Sequence, residues 1–175
     1  MALTYAQKET IVAEVAEVAK TAYSAIGAEY RGLTVADMTD LRVEARKSGV
    51  YVRVVKNTLA KRALADTEFS CMQDELTGPL VLAFGRQDPG SAARVVEAFA
   101  KKHDKFRVRL IAVSGQLLPP SELDKLAKMP TYEEAISQLM AVMKAPVQKL
   151  AATLNEVPGK LVRTVAAVRD AKEAA

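Results

Sequence analysis

The first 130 residues alternate between two hydrophobic patterns: the three-to-four-residue spacing of amphipathic helices and the short apolar runs of β-strands. Cap-like sequences and glycines mark where the segments begin and end. The predicted helices cover residues 4–21, 34–47, 56–64, 88–102 and 121–129. The predicted strands cover residues 24–31, 50–55, 80–84 and 106–113. This alternation predicts an α/β fold, a layered sheet-and-helix N-terminal domain over residues 1–130.

Local details of this domain are specific enough to be checked. The sequence LVLAF at 80–84 is a continuous apolar run, which predicts a central strand. Asp88-Pro89 combines a capping residue with a proline and predicts the start of a helix. Residues 66–77 are predicted to be irregular, and a loop is predicted from 114 to 120.

Residues 131–175 are predicted to form a long C-terminal helical arm. From Ile136 to Val168 the sequence divides into three blocks of eleven residues, with apolar residues at the first, fourth and eighth positions except at Pro158. Eleven residues make about three helical turns, so the apolar stripe stays on one side of the helix. The pattern indicates one docking motif written three times. The predicted partner-binding residues are Ile136, Leu139, Met143, Val147, Leu150, Leu154, Leu161, Val165 and Val168.

Two prolines interrupt the stripe close to the block boundaries. Pro146 and Pro158 each remove a backbone donor and are predicted to kink the arm. Kinks between copies suit an array of separate sites better than a helix packed along its whole length. Packing of the helix on its own domain is an alternative, because amphipathic helices rich in alanine and leucine are common. For the third block, a further alternative is a helix that restarts at Pro158-Gly159.

Composition limits the classes of protein to which the chain can belong. With 175 residues, 50% apolar and 26% charged, it has a globular composition. Cys71 is the only cysteine, which excludes a disulfide framework and favours a reducing compartment. There is no signal-like segment and no apolar run of membrane length, so the predicted location is the cytoplasm, without membrane contact.

Residues suited to catalysis are scarce. The single histidine, His103, lies in a charged stretch with no serine or cysteine partner at triad-like spacing. Lys56-Asn57-Thr58 lacks the preceding glycines of a phosphate-binding loop. The acidic residues are dispersed, without a carboxylate pair or a metal cluster. The sequence therefore predicts no cofactor and no metal ion, and an enzyme is the weakest hypothesis.

A basic region indicates a phosphate-rich partner. Between Arg42 and Arg62, seven basic residues stand against Glu44 alone, a local net charge of +6 compared with +4 for the whole chain. Such a region is the electrostatic footprint of a nucleic-acid-binding surface. A solvated helix face with scattered lysine and arginine is the ordinary alternative.

Two strand-to-helix junctions, at 30–34 and 53–58, combine basic and polar residues. Backbone N–H groups at a helix start lack partners within the helix, so both junctions are predicted to bind phosphate. Simple helix capping is the better interpretation of Thr34 or Asn57 taken singly. The candidate nucleic-acid-binding residues are Arg31, Gly32, Thr34, Arg53, Lys56, Asn57, Thr58, Lys61 and Arg62.

The order and spacing of several motifs resemble one known family. The motifs are YRGLT at 30–34, RVVKNTLAKRA at 53–63, LTGPLVLAF at 76–84, LPPSELDKLAKMPTYEEAISQLM at 118–140 and KLVRTVAAVRDAKEAA at 160–175. Together with the opening helix they extend over essentially the whole chain. On these motifs the chain resembles the family of bacterial large-ribosomal-subunit protein ten.

The resemblance implies a structural protein at the base of the ribosomal stalk. Its N-terminal domain is expected to bind large-subunit ribosomal RNA beside ribosomal protein eleven. Its C-terminal helix is expected to carry dimers of the acidic stalk protein, which recruit translational GTPases. Feedback repression of its own messenger is a further implication.

The number of blocks in the arm predicts how many partner dimers it carries. Three blocks predict three dimers of the acidic stalk protein. Basic residues on the polar side of the arm would steer this acidic partner; they are Lys144, Lys149, Lys160 and Arg163. The alternative function is an RNA-independent multivalent adaptor scaffold.

Overall fold

The computed structural model describes residues 4–103 and 105–173, and the chain divides into two compact units, Met1–Thr131 and Tyr132–Ala175. The helices of the first unit are α1 (Tyr5–Thr21), α2 (Val35–Lys47), α3 (Asn57–Leu64), α4 (Ser91–Lys102) and α5 (Leu123–Ala127). Its strands are β1 (Ser24–Glu29), β2 (Val50–Val54), β3 (Leu80–Gly85), β4 (Arg107–Val113) and β5 (Gln116–Leu118). Short 3-10 turns lie at Glu68–Met72 and Pro120–Glu122, and the second unit contains α6 (Tyr132–Glu173).

The five strands form one sheet in the order β2-β3-β1-β4-β5, and each pairing is antiparallel. β1 lies in the middle, between β3 and β4. β3 is an interior strand in which every residue is buried, as the LVLAF run predicts. The mixed α/β architecture predicted from the sequence is confirmed.

The sheet has a hydrophobic cluster on each face, because successive strand residues point to opposite sides. Leu82 and Phe84 of β3 pack in a cluster with apolar residues of α1 and α3. Val81 and Ala83 pack in a second cluster with residues of α2, α4 and α5. β3 is apolar at every position because helices cover both of its faces.

The start of α4 differs from the predicted one. The helix begins at Ser91, not at Asp88. The carbonyl oxygen of Asp88 accepts hydrogen bonds from the backbone N–H of Ser91 at 3.2 Å and from its hydroxyl at 2.8 Å. These bonds close a turn around Pro89, so the Asp-Pro pair precedes the helix instead of capping it.

The loop predicted from 114 to 120 contains the short strand β5, which the sequence analysis missed. β4 and β5 pair through Val113 and Gln116, so only Ser114 and Gly115 lie between them. Both have positive φ, 49° and 78°, as a two-residue hairpin turn requires. The Ser-Gly pair was the available signal, but three residues are too few to show a strand period.

α6 continues through both prolines. It runs as a single helix from Tyr132 to Glu173 with Pro146 and Pro158 inside it, so a restart at Pro158 is wrong. Each proline removes one backbone hydrogen bond and leaves the carbonyl four residues earlier without its helical partner. Within the described residues, no helix combines the length and hydrophobicity needed to cross a membrane.

We expect Gly85→Ala to lower the free energy of unfolding by about 1–3 kcal/mol, because the added methyl group overpacks a closed site. A Cβ there would lie 2.7 Å from the buried Ser24 hydroxyl oxygen and 3.0 Å from the Asp88 carbonyl oxygen. Urea denaturation of the full chain, followed by circular dichroism, measures the change. Gly27→Ala is the matched control, since its Cβ would meet only the Leu110 side chain, at 3.3 Å. Equal losses in the two variants would contradict this account of Gly85.

Candidate functional site

The two predicted junctions meet at one end of the sheet. β1 and β2 both end beside the start of β3, since Glu29 pairs with Leu80 and Val54 pairs with Val81. The segment Gly78-Pro79 lies between the junctions and bonds to both. The N–H of Tyr30 donates to the Pro79 carbonyl at 3.4 Å, and the Asn57 side-chain amide donates to the Gly78 carbonyl at 2.9 Å.

The second junction has an open helix start. Lys56 occupies the capping position of α3 without a side-chain cap, and its carbonyl accepts from the N–H groups of Leu59 and Ala60. The backbone N–H groups of Asn57 and Thr58 have no partner within the described residues. The Thr58 hydroxyl is likewise unbonded there, and Lys56 and Thr58 are exposed. This helix start therefore has donors available for an anion.

A depression of about 380 Å³ lies beside that helix start. Its walls come from the ends of β1 and β2, the start of α3 and the segment before β3. The lining residues are Tyr30, Val54, Val55, Lys56, Asn57, Thr58, Gly78, Pro79 and Leu80. Apolar walls and a basic, donor-rich rim thus occur together.

Most of the predicted basic residues have uncompensated charges. In the part of the chain that the structure describes, no ion pair or side-chain hydrogen bond involves Arg31, Lys56, Lys61 or Arg62. These cations face solvent wholly or in part. An anionic ligand would therefore meet them without first breaking internal ion pairs.

Arg53 differs from these residues because its charge is matched inside the protein. Its guanidinium forms an ion pair with Glu14 of α1 and donates to the Tyr51 hydroxyl at 2.9 Å. The Tyr51 hydroxyl in turn donates to Glu14 at 2.7 Å. Hydrogen bonds from Arg53 and Tyr51 lower the pKa of Glu14. Arg53 thereby ties β2 to α1, a structural role that the sequence analysis missed.

The first junction differs from the second because a capping box places a carboxylate at its helix start. The Thr34 hydroxyl accepts from the Asp37 N–H at 3.3 Å, and the Asp37 carboxylate accepts from the Thr34 N–H at 3.0 Å. Hydrogen bonding of the Asp37 carboxylate by Thr34, first by its backbone N–H and then by its side chain, lowers the pKa of Asp37, and the nearby His103 and Lys105 act in the same direction. The expectation of free N–H groups is therefore wrong for Thr34 and Asp37, because the Thr-x-x-Asp pattern places a carboxylate at the start of α2.

Lys105 joins this end of the sheet, and the sequence analysis missed it. Gly32 has a φ of 88°, and a Cβ added there would lie 3.3 Å from the Lys105 side chain. Because β4 runs antiparallel to β1, its start lies beside the end of β1, where Glu29 pairs with Arg107. The charged Lys101–Lys105 stretch was the only available signal, and it did not indicate this position.

The second unit presents the predicted apolar stripe to solvent. At about 100° per residue, its nine positions fall on one side of α6. All nine are exposed, from 38% at Ile136 to 72% at Met143 and Leu154. Met140, which is 51% exposed, extends the same side.

The basic residues on the polar side of α6 differ in their contacts. The Lys160 ammonium pairs with Glu156 at 3.0 Å, and the Arg163 side chain donates to the Gly159 carbonyl at 3.1 Å. No ion pair of Lys144 or Lys149 occurs within the described residues, and both are exposed. Lys144, Lys149 and Arg163 therefore keep charges that no ion pair within the described residues compensates.

Two comparisons with known proteins decide the family. Residues 3–101 match the family described as Ribosomal protein L10, and residues 129–157 match the Ribosomal protein uL10 C-terminal region. The large ribosomal subunit protein uL10 of Alkalilimnicola ehrlichii is 65% identical over 175 residues, all of both chains. That of Thioalkalivibrio sulfidiphilus is 64% identical over 174 residues, 99% of each chain. The chain belongs to the ribosomal protein L10 family.

Membership of the L10 family makes the chain a structural ribosomal protein and not an enzyme. The two side chains considered for catalysis pack against the fold. The His103 ring stacks on Phe99 with centroids 4.3 Å apart, and Cys71 is partly buried against the core. Among the described residues, no group of three or more His, Cys, Asp or Glu side chains is arranged to hold a metal ion. Both junctions lie inside the L10 match, and the first two blocks of α6 lie inside the C-terminal match.

We expect Thr34→Ala to lower the free energy of unfolding by about 1 kcal/mol, because it removes the cap of α2. Thr58→Ala is the matched control at the other junction. Its hydroxyl bonds to nothing within the described residues, so its effect should stay within about 0.5 kcal/mol. Urea denaturation compares the two variants. Equal destabilisation would show that the junctions do not differ in capping.

Proposed function

We propose that the chain is a structural constituent of the large ribosomal subunit, with an RNA-binding first unit and a protein-docking arm. The first unit binds large-subunit ribosomal RNA at the stalk base, next to ribosomal protein eleven. α6 carries dimers of the acidic stalk protein, which recruit translational GTPases. The protein acts in the cytoplasm as part of the ribosome.

The observation that carries the RNA half is the second junction. Among the residues that the structure describes, it combines two backbone N–H groups without a partner, an exposed lysine and further cations on α3 without ion pairs. RNA offers phosphates at regular spacing to such a surface, and their neutralisation releases counterions. The first junction contributes Arg31 and Lys105, but the Asp37 carboxylate at the start of α2 makes it less favourable for a phosphate.

The observation that carries the docking half is the exposed stripe of α6. Burial of each apolar side chain against a partner helix is worth roughly 1.5–3 kcal/mol, and each of the first two blocks supplies three such side chains. A helix laid in an apolar groove is a common mode of recognition. Lys144 and Lys149 would favour an acidic partner through charge complementarity.

An RNA-independent adaptor, in which the first unit binds only protein, is the competing proposal. It explains the arm equally well, but it assigns no ligand to the cations of the second junction, which have no ion pairs within the described residues. The two proposals differ in their salt dependence, since neutralisation of phosphates makes affinity fall steeply as salt rises.

We expect the full chain to bind a stalk-base ribosomal RNA fragment with an affinity that falls steeply with salt. Lys56→Ala should weaken binding and reduce the slope of log affinity against log salt by about 1, because one phosphate contact is lost. Thr58→Ala should weaken binding without changing this slope. Fluorescence anisotropy from low to physiological salt measures both quantities.

Lys101→Ala is the matched control for the salt series, since the Lys101 ammonium is already paired with Glu97 on α4. It should leave both the affinity and the slope close to those of the wild type. An unchanged slope in Lys56→Ala would remove Lys56 from the interface. A chain without salt-dependent RNA binding would favour the adaptor.

We expect native mass spectrometry of the complex with the acidic stalk protein to show one copy of this chain with six of the partner, one dimer for each of the three blocks. Leu150→Asp should reduce the partner number to four, because it puts a charge into the second block. Gln148→Asp is the control on the polar side of the helix and should keep all six. A wild-type mass with four partner copies would show that one block does not bind.

A further inference from the structure

The depression at the second junction has apolar walls that a phosphate site does not need. We propose that it receives the base of one unpaired RNA nucleotide, turned out of the stack against Tyr30 while its phosphate lies near Lys56. This inference rests on the proposed RNA-binding function and specifies the feature of RNA that is recognised.

The chemistry of the depression is divided between its walls and its rim. Tyr30, Val54 and Pro79 provide aromatic and aliphatic wall surface, and Leu80 closes the site toward the core. Lys56 and Thr58 provide charge and hydrogen-bond donors at the rim. A nucleotide has the same division, a flat base attached to a charged phosphate.

The size of the depression also suits a nucleotide. Its volume of about 380 Å³ lies in the lower part of the range of about 300–1,000 Å³ for small-molecule sites. A paired helix cannot offer a base to such a site, because A-form RNA keeps its bases stacked and its major groove narrow. An unpaired nucleotide in a loop or bulge can place its base between protein side chains.

Tyr30 is the residue suited to contact the base. It is partly buried against the core, and no side-chain hydrogen bond involves its hydroxyl within the described residues. Its ring can therefore stack on a base while the hydroxyl bonds to a base edge.

The walls of the depression are held by the fold before any ligand binds. The Tyr30 N–H bonds to the Pro79 carbonyl, and the Asn57 amide bonds to the Gly78 carbonyl. These contacts join the end of β1 and the start of α3 to the segment before β3, so the base would enter a site that is already formed. Preformed sites lose less conformational entropy on binding.

The test pairs an RNA change with a protein change. The probe is the stalk-base ribosomal RNA fragment, in which each unpaired nucleotide is replaced in turn by an abasic one. At one position we expect the wild-type chain to lose affinity about tenfold, the loss of one stacked base. Tyr30→Leu should weaken binding of the intact RNA by a similar factor, and the abasic change at that position should then have no further effect.

Two further variants keep the test decisive. Tyr30→Phe keeps the ring and should retain most of the affinity, which separates stacking by the ring from hydrogen bonding by the hydroxyl. If Tyr30→Leu unfolds by circular dichroism, Val54→Trp replaces it, since Val54 is 38% exposed at the wall and a larger side chain there fills the depression. Leu117→Trp is its matched control, since Leu117 on β5 is 37% exposed and lies outside the depression, and it should bind like the wild type.

The outcomes separate this inference from the function on which it rests. If every abasic position affects the wild type and the Tyr30→Leu or Val54→Trp variant equally, no base enters the depression and the inference is overturned. RNA binding whose salt slope still depends on Lys56 would leave the proposed function standing in that case. Absence of any salt-dependent binding would overturn both.

Discussion

The antiparallel pairing of β1 with β3 on one side and β4 on the other determines where the other parts of the first unit lie. Because neighbouring strands reverse direction, the ends of β1 and β2 and the starts of β3 and β4 share one end of the sheet. Residues far apart in sequence, such as Arg31, Lys56 and Lys105, are therefore brought to that end. Helices cover both faces of the sheet, which leaves its ends as the surfaces where loops can recognise a partner.

Internal pairing decides which charges at that end remain available to a partner. Arg53 is engaged by Glu14, and the start of α2 is engaged by Asp37. The start of α3 has no acidic residue in its first turn, and Lys56 has no acidic partner within the described residues. Two junctions that look alike in sequence thus differ electrostatically, and the difference comes from a single carboxylate three residues after the cap.

The sequence predicted the features that depend on neighbouring residues. Caps, β-branched runs and apolar spacing gave α1, α2, α3, β2 and β3 nearly at their observed bounds. It did not predict contacts between distant segments, such as Arg53 with Glu14 or Lys105 with Gly32, because no local pattern encodes them. β5 was missed for a different reason. Its three residues are held in place by pairing with β4, and three residues are too few to show the alternating pattern of a strand.

The arm obeys a different constraint, since its apolar side chains are exposed along one side of α6. Successive blocks lie about 16 Å apart along the helix axis, beyond the range of about 7–10 Å over which neighbouring residues usually couple. The free energies of contacts at successive blocks should therefore be additive. Pro146 and Pro158 strengthen this separation, because each removes a backbone hydrogen bond near a boundary. Continuous packing would propagate a local defect along the helix, whereas separate blocks confine it to one site.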